Sequence, residues 1–373
     1  MILTVIIFLV ILSLLVLIHE AGHFIMARIF GIKVEEFGFG LPPRALVLFK
    51  RGDTVYTLNW LPIGGFVKLY GEDEAGSGSV SVKEQKISKK DVGRAFFARP
   101  AWQRAIVIVA GVFMNFALAV IIISVLFSAV GVPMAGDKVE VSALVKGAPA
   151  QSAGLKVGDT IESINGQKIT TPAQLVSYTK ERLGQKLTLK VVTKDNKTET
   201  LQVTPRKVYP SNEGPMGIAI SPNVITKKYP WYQAPFSGTW EALKESYMIL
   251  SGLVVLVSQL LFHASVPTDI AGPVGIAQLT GQVVQIGPVA VLSFISLLSL
   301  NLAILNILPI PALDGGRLFF ILIEAIFRRK VDQRIEGYAH AIGMALLLAL
   351  ILLITIHDLY RLLTGQPLIP QLK

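Results

Sequence analysis

Residues 1–23 read MILTVIIFLVILSLLVLIHEAGH, and their reading decides the fold. Positions 1–18 hold no Asp, Glu, Lys or Arg, and as an α-helix they reach about 27 Å, close to the ~30 Å hydrocarbon core of a bilayer. His19-Glu20-Ala21-Gly22-His23 follows without a break. On a helix, an i, i+4 pair of imidazoles shares one face and can bind one Zn²⁺, while the Glu between them can deprotonate a water. The alternative is a pair of interfacial histidines with Glu20 as a snorkelling charge. Against it, an ionisable group at membrane depth costs roughly 2.5–3.5 kcal/mol on insertion scales, so three together ask for a compensating partner such as a metal. The run lacks a basic n-region and a small-residue cleavage site, so it reads as a retained anchor and not as a signal peptide.

Composition extends the membrane reading to the whole chain. The 373 residues are 52% hydrophobic and 16% charged, against about 25% charged in soluble domains, and mean hydropathy is +0.58. The net charge of +10 does not point to nucleic acid. Much of the basic excess borders apolar runs, at 83–90, Arg94, Arg99, Arg104 and 328–334, where it anchors and orients spans. With no Cys, disulfides, thiolate metal sites and cysteine nucleophiles are excluded.

Further uncharged stretches occupy 105–136, 246–268, 270–313 and 337–357. The second of these is interrupted by Ser246, Ser251, Ser258, Gln259 and His263 and reads as interfacial or re-entrant. The third is broken by Gly272, Pro273, Gly281, Gly287 and Pro288, so its spanning part is placed at 289–308. With about four spans, the basic clusters after span one, before span two and between spans three and four share one side, which the positive-inside rule makes cytoplasmic. Residues 137–229 then lie outside the cytoplasm, and the histidines lie toward the cytoplasmic end of span one. Between Glu35 and Tyr70 the pattern shortens to β-like runs at 45–49, 54–60 and 65–70, with Lys50-Arg51-Gly52-Asp53 as a hairpin turn. Residues 71–90 read as a polar linker.

A catalytic zinc takes three protein ligands and keeps an open position. Met26 and Ile29 stand where an extended HExxHxxGxxH motif needs Gly and His. Asp314, in Asn306-Ile-Leu-Pro-Ile-Pro-Ala-Leu-Asp314-Gly, is the only acidic residue between Asp269 and Glu324, and is the candidate third ligand. Its alternative role is a helix N-cap, which is compatible with ligation.

The ordered motifs His19-Glu-Ala-Gly-His23, Gly64-Gly65-Phe66-Val67-Lys68, Gly111-Val-Phe-Met-Asn115 and Asn306-xx-Pro309-x-Pro311-x-Leu313-Asp314-Gly315 resemble the site-2 protease family of intramembrane zinc metalloproteases, in its bacterial PDZ-containing branch. The resemblance implies that His19, His23 and Asp314 hold one Zn²⁺ per chain and that Glu20 is the general base. It implies further that Asn306 and Asn115 contact the substrate backbone or the developing oxyanion, with interhelical hydrogen bonding as the alternative for both. Gly64, Gly65 and Phe66 would belong to a membrane-associated β-element that receives substrate by strand addition, or to a structural hairpin over the cleft.

The stretch from Gly147 to Gly166 resembles a PDZ domain, with a helix expected over 172–183. In the circularly permuted bacterial arrangement, Gly214, Met216, Gly217 and Ile218 would form the peptide loop and accepting strand. The domain would bind a peptide or act as a size filter.

The expected fold is therefore a multi-pass α-helical membrane protein with a membrane-associated β-hairpin region and one inserted extracytoplasmic PDZ domain. Its parts are a first transmembrane helix with the HExxH motif (1–30), the β-region and a cytoplasmic loop (31–104), helix two (105–135), the PDZ domain (136–225), an amphipathic or re-entrant segment (226–288), helix three with a cytoplasmic loop (289–336), and helix four with the tail (337–373). The implied setting is the bacterial cytoplasmic membrane, with single-pass membrane proteins or peptides as substrates, the lipid bilayer as environment, and no nucleic acid. Two competing functions are a non-enzymatic PDZ adaptor with a relict metal site and an ion transporter. His340, His357 and His263 read as packing or interfacial residues.

Overall fold

The computed structural model of the chain describes residues 2–72, 91–210, 213–263, 272–329 and 331–364. It divides into two compact units, Met1–Ser128 with Pro230–Lys373, and Ala129–Tyr229.

The first unit opens with helix α1 (Ile2–Ile29). Strands β1 (Val34–Arg51) and β2 (Thr54–Leu69) follow. They bend so that 36–39 pairs with 55–58 on one side and with 65–68 on the other, while 44–51 pairs with 54–59. The three expected β-like runs are thus present, joined by a fourth, 36–39, at the centre of the sheet. Residues 65–68 form an outer edge. Helix α2 (Ala101–Ala129) comes next. Ala27, Ile32, Val34, Leu69 and Val107 form one apolar cluster that docks the sheet onto α1 and α2.

The second unit carries β3 (Val132–Leu144), α3 (Pro149–Ser152), β4 (Thr160–Ile164), β5 (Gln167–Lys168), α4 (Pro172–Lys180), β6 (Leu187–Val192), β7 (Thr198–Val203) and β8 (Ile218–Lys227). Its sheet order is β7-β6-β4-β3-β8, with β5 beside β4. Thr171 caps α4 by accepting from the Gln174 N–H, and the Asn165-Gly166 turn has left-handed backbone at both positions. The strand and helix order agrees with a PDZ-type domain, and its core includes Ile161, Ile164, Leu187 and Leu189. Its limits differ from the expected 136–225. The uncharged residues 130–136 do not extend α2: 132–135 pair with 224–227 of β8. Apolar composition alone cannot separate the end of a span from an apolar strand, and Pro133 favours the strand.

The chain then returns as α5 (Ala234–His263), α6 (Pro273–Ile286), α7 (Pro288–Ile307), α8 (Asp314–Phe327) and α9 (Gln333–Thr364). Four helices among the described residues are long and apolar enough to cross a membrane: Leu3–Ile29, Ala101–Ala129, Pro288–Ile307 and Arg334–Thr364. These are the four expected spans. The stretch expected to be interfacial or re-entrant shows no reversal up to His263 and forms one 30-residue helix with the segment before it. Its serines donate to carbonyls of their own helix, Ser246 to Ala242, Ser251 to Met248 and Ser258 to Val255, which removes the hydroxyl cost that interrupted the apolar reading. Residues 73–90 of the expected linker, 264–268 of that stretch and the tail from 365 lie outside the described residues.

Candidate active site

His19 and His23 occupy successive turns on one face of α1. A side chain at either of two glycines would prevent the next helix from approaching that face. A Cβ on Gly22 would lie 2.3 Å from the Ala110 carbonyl oxygen, and one on Gly111 would lie 2.4 Å from His23 Nε2. The close crossing of α1 and α2 lets His23 Nδ1–H donate to the Val107 carbonyl at 2.8 Å. That bond fixes the tautomer and leaves the Nε2 lone pair facing inward.

Asp314 arrives from the other end of the chain. It is the first residue of α8, while the N-cap position belongs to Leu313. Its carboxylate does not cap the helix and instead points at the histidines. Asp314 Oδ2 lies 2.7 Å from His19 Nε2 and 3.2 Å from His23 Nε2, and the two Nε2 atoms are 3.1 Å apart. These separations are close to the ~3.3 Å edge of a tetrahedron with metal–ligand bonds of about 2 Å. Two nearly buried imidazoles, 6% and 7% exposed, with a carboxylate form a donor set that suits zinc. Among the described residues no other group of three such side chains converges in this way.

Glu20 lines the same cavity, of about 690 Å³, with Asn115, Asn306, Phe66 and Arg317. One of its oxygens, Oε2, accepts the Val67 N–H from the outer edge of the sheet at 2.9 Å. Gly64 and Gly65 permit this approach. Gly64 has φ +73, and a Cβ on Gly65 would lie 2.9 Å from the Gly38 carbonyl and 3.2 Å from Leu17. A second amide of that edge, Leu69 N–H, donates to Glu72.

Asn115 is fully buried on α2. Both polar atoms of its side chain lack a partner, although its backbone carbonyl accepts the Ser299 hydroxyl at 2.8 Å. The interhelical bond therefore belongs to the backbone and leaves the amide facing the cavity. Asn306 sits in the last turn of α7 and borders the cavity beside it.

Every described residue that lines this cavity belongs to the first unit. Gly217 N–H closes a turn on the Gly214 carbonyl at 2.9 Å. Ile218 opens β8, whose other edge pairs with no strand among the described residues. Met216 is only 3% exposed and belongs to the domain core, so its side chain packs inward.

Four features have no residue-type signature in the sequence: the Val67 amide on Glu20, the clearance at Gly111, the Arg317–Glu72 ion pair and the hydrogen bond from Ala312 N–H to His340. Gly111 and Val67 carried a signal only as members of ordered motifs.

Comparison with known proteins places this geometry. Residues 7–350 match peptidase family M50. The regulator of sigma-W protease RasP of Bacillus subtilis is 32% identical, over 96% of this chain and 99% of that protein. Zinc metalloprotease RasP of Bacillus licheniformis is 31% identical over the same shares. Among solved structures, the PDZ domain of the SdrC-like protein from Listeria innocua is 24% identical, with a TM-score of 0.21, covering 23% of this chain and 97% of that one. The chain belongs to peptidase family M50, the site-2 proteases, and is a zinc metalloprotease.

Proposed function

We propose that the protein is an intramembrane endopeptidase that cleaves single-span membrane proteins within or near their transmembrane segment. The observation that carries this reading is the convergence of His19, His23 and Asp314 in one cavity with Glu20, on helices whose neighbours are long and apolar enough to span. His19, His23 and Asp314 would hold the zinc, which when bound would supply the Lewis acidity needed to acidify a water and polarise a carbonyl.

The protein's own groups do the rest. Val67 N–H holds Glu20 Oε2, leaving Oε1 to take a proton from water and return it to the leaving amine nitrogen. The unpartnered Asn115 amide, together with Asn306, supplies donors for a developing oxyanion. A scissile bond must first leave its helix, because helical backbone groups are already paired. The edge at Gly65 and Phe66 supports strand addition there, whereas the engaged Val67 and Leu69 amides support a cleft-covering role for the residues that follow.

The basic flanks support a PDZ-type unit outside the cytoplasm and a metal site toward the cytoplasmic side of a bacterial membrane. That unit acts as a size filter ahead of the site, and the unpaired edge of β8 supports peptide binding as its second role. Membrane-bound anti-sigma factors are one substrate class, in keeping with the sigma-W regulator named for the Bacillus subtilis relative, and signal-peptide remnants are a second, resting on the family resemblance alone.

The test reconstitutes wild type, Glu20→Gln and Asp314→Ala in liposomes and measures bound zinc and cleavage of a single-span substrate. Glu20→Gln is expected to keep zinc and lose cleavage, and Asp314→Ala to lose both. Zinc at one equivalent without cleavage by wild type would favour an adaptor, and metal-dependent flux without proteolysis would favour a transporter.

A further inference from the structure

We infer that His340 is a positioning residue for the metal site, holding the backbone bend that aims Asp314 at His19 and His23. The inference rests on the assignment of those three residues as zinc ligands. Between α7 and α8 the chain turns over residues 308–313, and Ala312 adopts φ +81. An L-residue disfavours this region, because its Cβ crowds the adjoining carbonyl. Such a conformation persists where the surroundings over-determine it.

Here the surroundings are α9. His340, 3% exposed, accepts the Ala312 N–H on Nδ1 at 2.8 Å. Its ring is tilted against Phe320 of α8, with centroids 5.8 Å apart. One turn further along α9, Gly343 brings the helix backbone against the same loop, since a Cβ there would lie 2.5 Å from the Pro311 carbonyl oxygen. Two residues after Ala312, the Asp314 carboxylate meets both imidazoles. His340 is not itself among the converging ligand atoms. It satisfies an N–H that the bend would otherwise leave without a partner, and so fixes the direction in which α8 starts. A residue serving only to fill space would need no acceptor at Nδ1.

The experiment measures zinc affinity by chelator competition on the purified full-length protein in detergent, with cleavage as a second readout. His340→Ala is expected to weaken zinc about 10- to 100-fold, the range seen when a group supporting a ligand is removed. His340→Gln, which keeps bulk but moves the acceptor, should weaken it similarly and serves where the alanine variant does not fold. Ala312→Gly added to either variant should restore most of the affinity, because glycine takes positive φ without a Cβ penalty.

Wild-type affinity in His340→Ala or His340→Gln would overturn the inference. So would a loss that Ala312→Gly does not restore, which would make His340 a packing residue. Failure of the underlying metal assignment reads differently: wild type would then bind no zinc, or Asp314→Ala would bind it normally.

Discussion

A buried amide with no partner costs stability, by about 1–3 kcal/mol for a neutral group, and Asn115 carries two such atoms at zero exposure. A group kept for architecture would be paired, as Ser299 is paired to the Asn115 carbonyl. Asn115→Leu, similar in volume, is therefore expected to leave thermal stability unchanged or raise it. Cleavage should fall about 10²- to 10³-fold, the cost of removing one oxyanion donor. A fall in melting temperature with cleavage intact would return Asn115 to interhelical bonding. The sequence displays residue types, so His19, Glu20, His23 and Asp314 are legible in it from the cost of ionisable groups in apolar runs. The partners of Glu20 and His340 are backbone amides, of Val67 and Ala312. Every residue except proline has one, and nothing in the chain marks which of them is used.

At the scale of elements, α8 must start where Asp314 is needed, and two ion pairs tie it down. Arg317 in its first turn pairs with Glu72 after the sheet, and Glu324 in its last pairs with Arg104 of α2 at 2.7 Å. Arg104 is nearly buried and Glu324 partly so. Arg104→Met should cost about 2–3 kcal/mol, below the usual 3–5 for breaking a buried pair because Glu324 keeps some water. The double variant with Glu324→Leu should recover most of it, and chemical denaturation in detergent checks both.

The outer sheet edge is the other positioning element. Val67→Pro removes the N–H at an edge that tolerates proline and should slow cleavage on the order of tenfold with zinc retained. That is a small part of the 10²–10⁴ a positioned general base contributes. Val67→Ala keeps the amide and should cleave normally; equal loss in both would assign the effect to the Val67 side chain. The runs at 45–49, 54–60 and 65–70 were legible from alternation and turn chemistry. The central run 36–39 was not, because Gly38 and Gly40 dilute its pattern and its pairing is made on both sides at long range.

For the whole molecule, the proposed intramembrane chemistry requires a depth, and the flanking charges would give it a direction. If the four apolar helices all span, the basic residues 328–329 between α8 and α9 would fall on one side and the segment between α2 and α5 on the other. The helices bearing the proposed zinc ligands set no orientation by themselves, since an apolar helix is as stable upright as inverted. The bias comes from Lys and Arg near the span ends. The same absence of cysteine that excludes thiolate chemistry makes this directly measurable. A single cysteine at Lys197, exposed in the turn between β6 and β7, should react with a membrane-impermeant maleimide in intact spheroplasts. One at Arg329, exposed after α8, should react only once the membrane is permeabilised. The reverse pattern would place the PDZ-type unit in the cytoplasm, where it could not screen ectodomains ahead of the metal site. Labelling of both in intact cells would mean that the described spans do not number four.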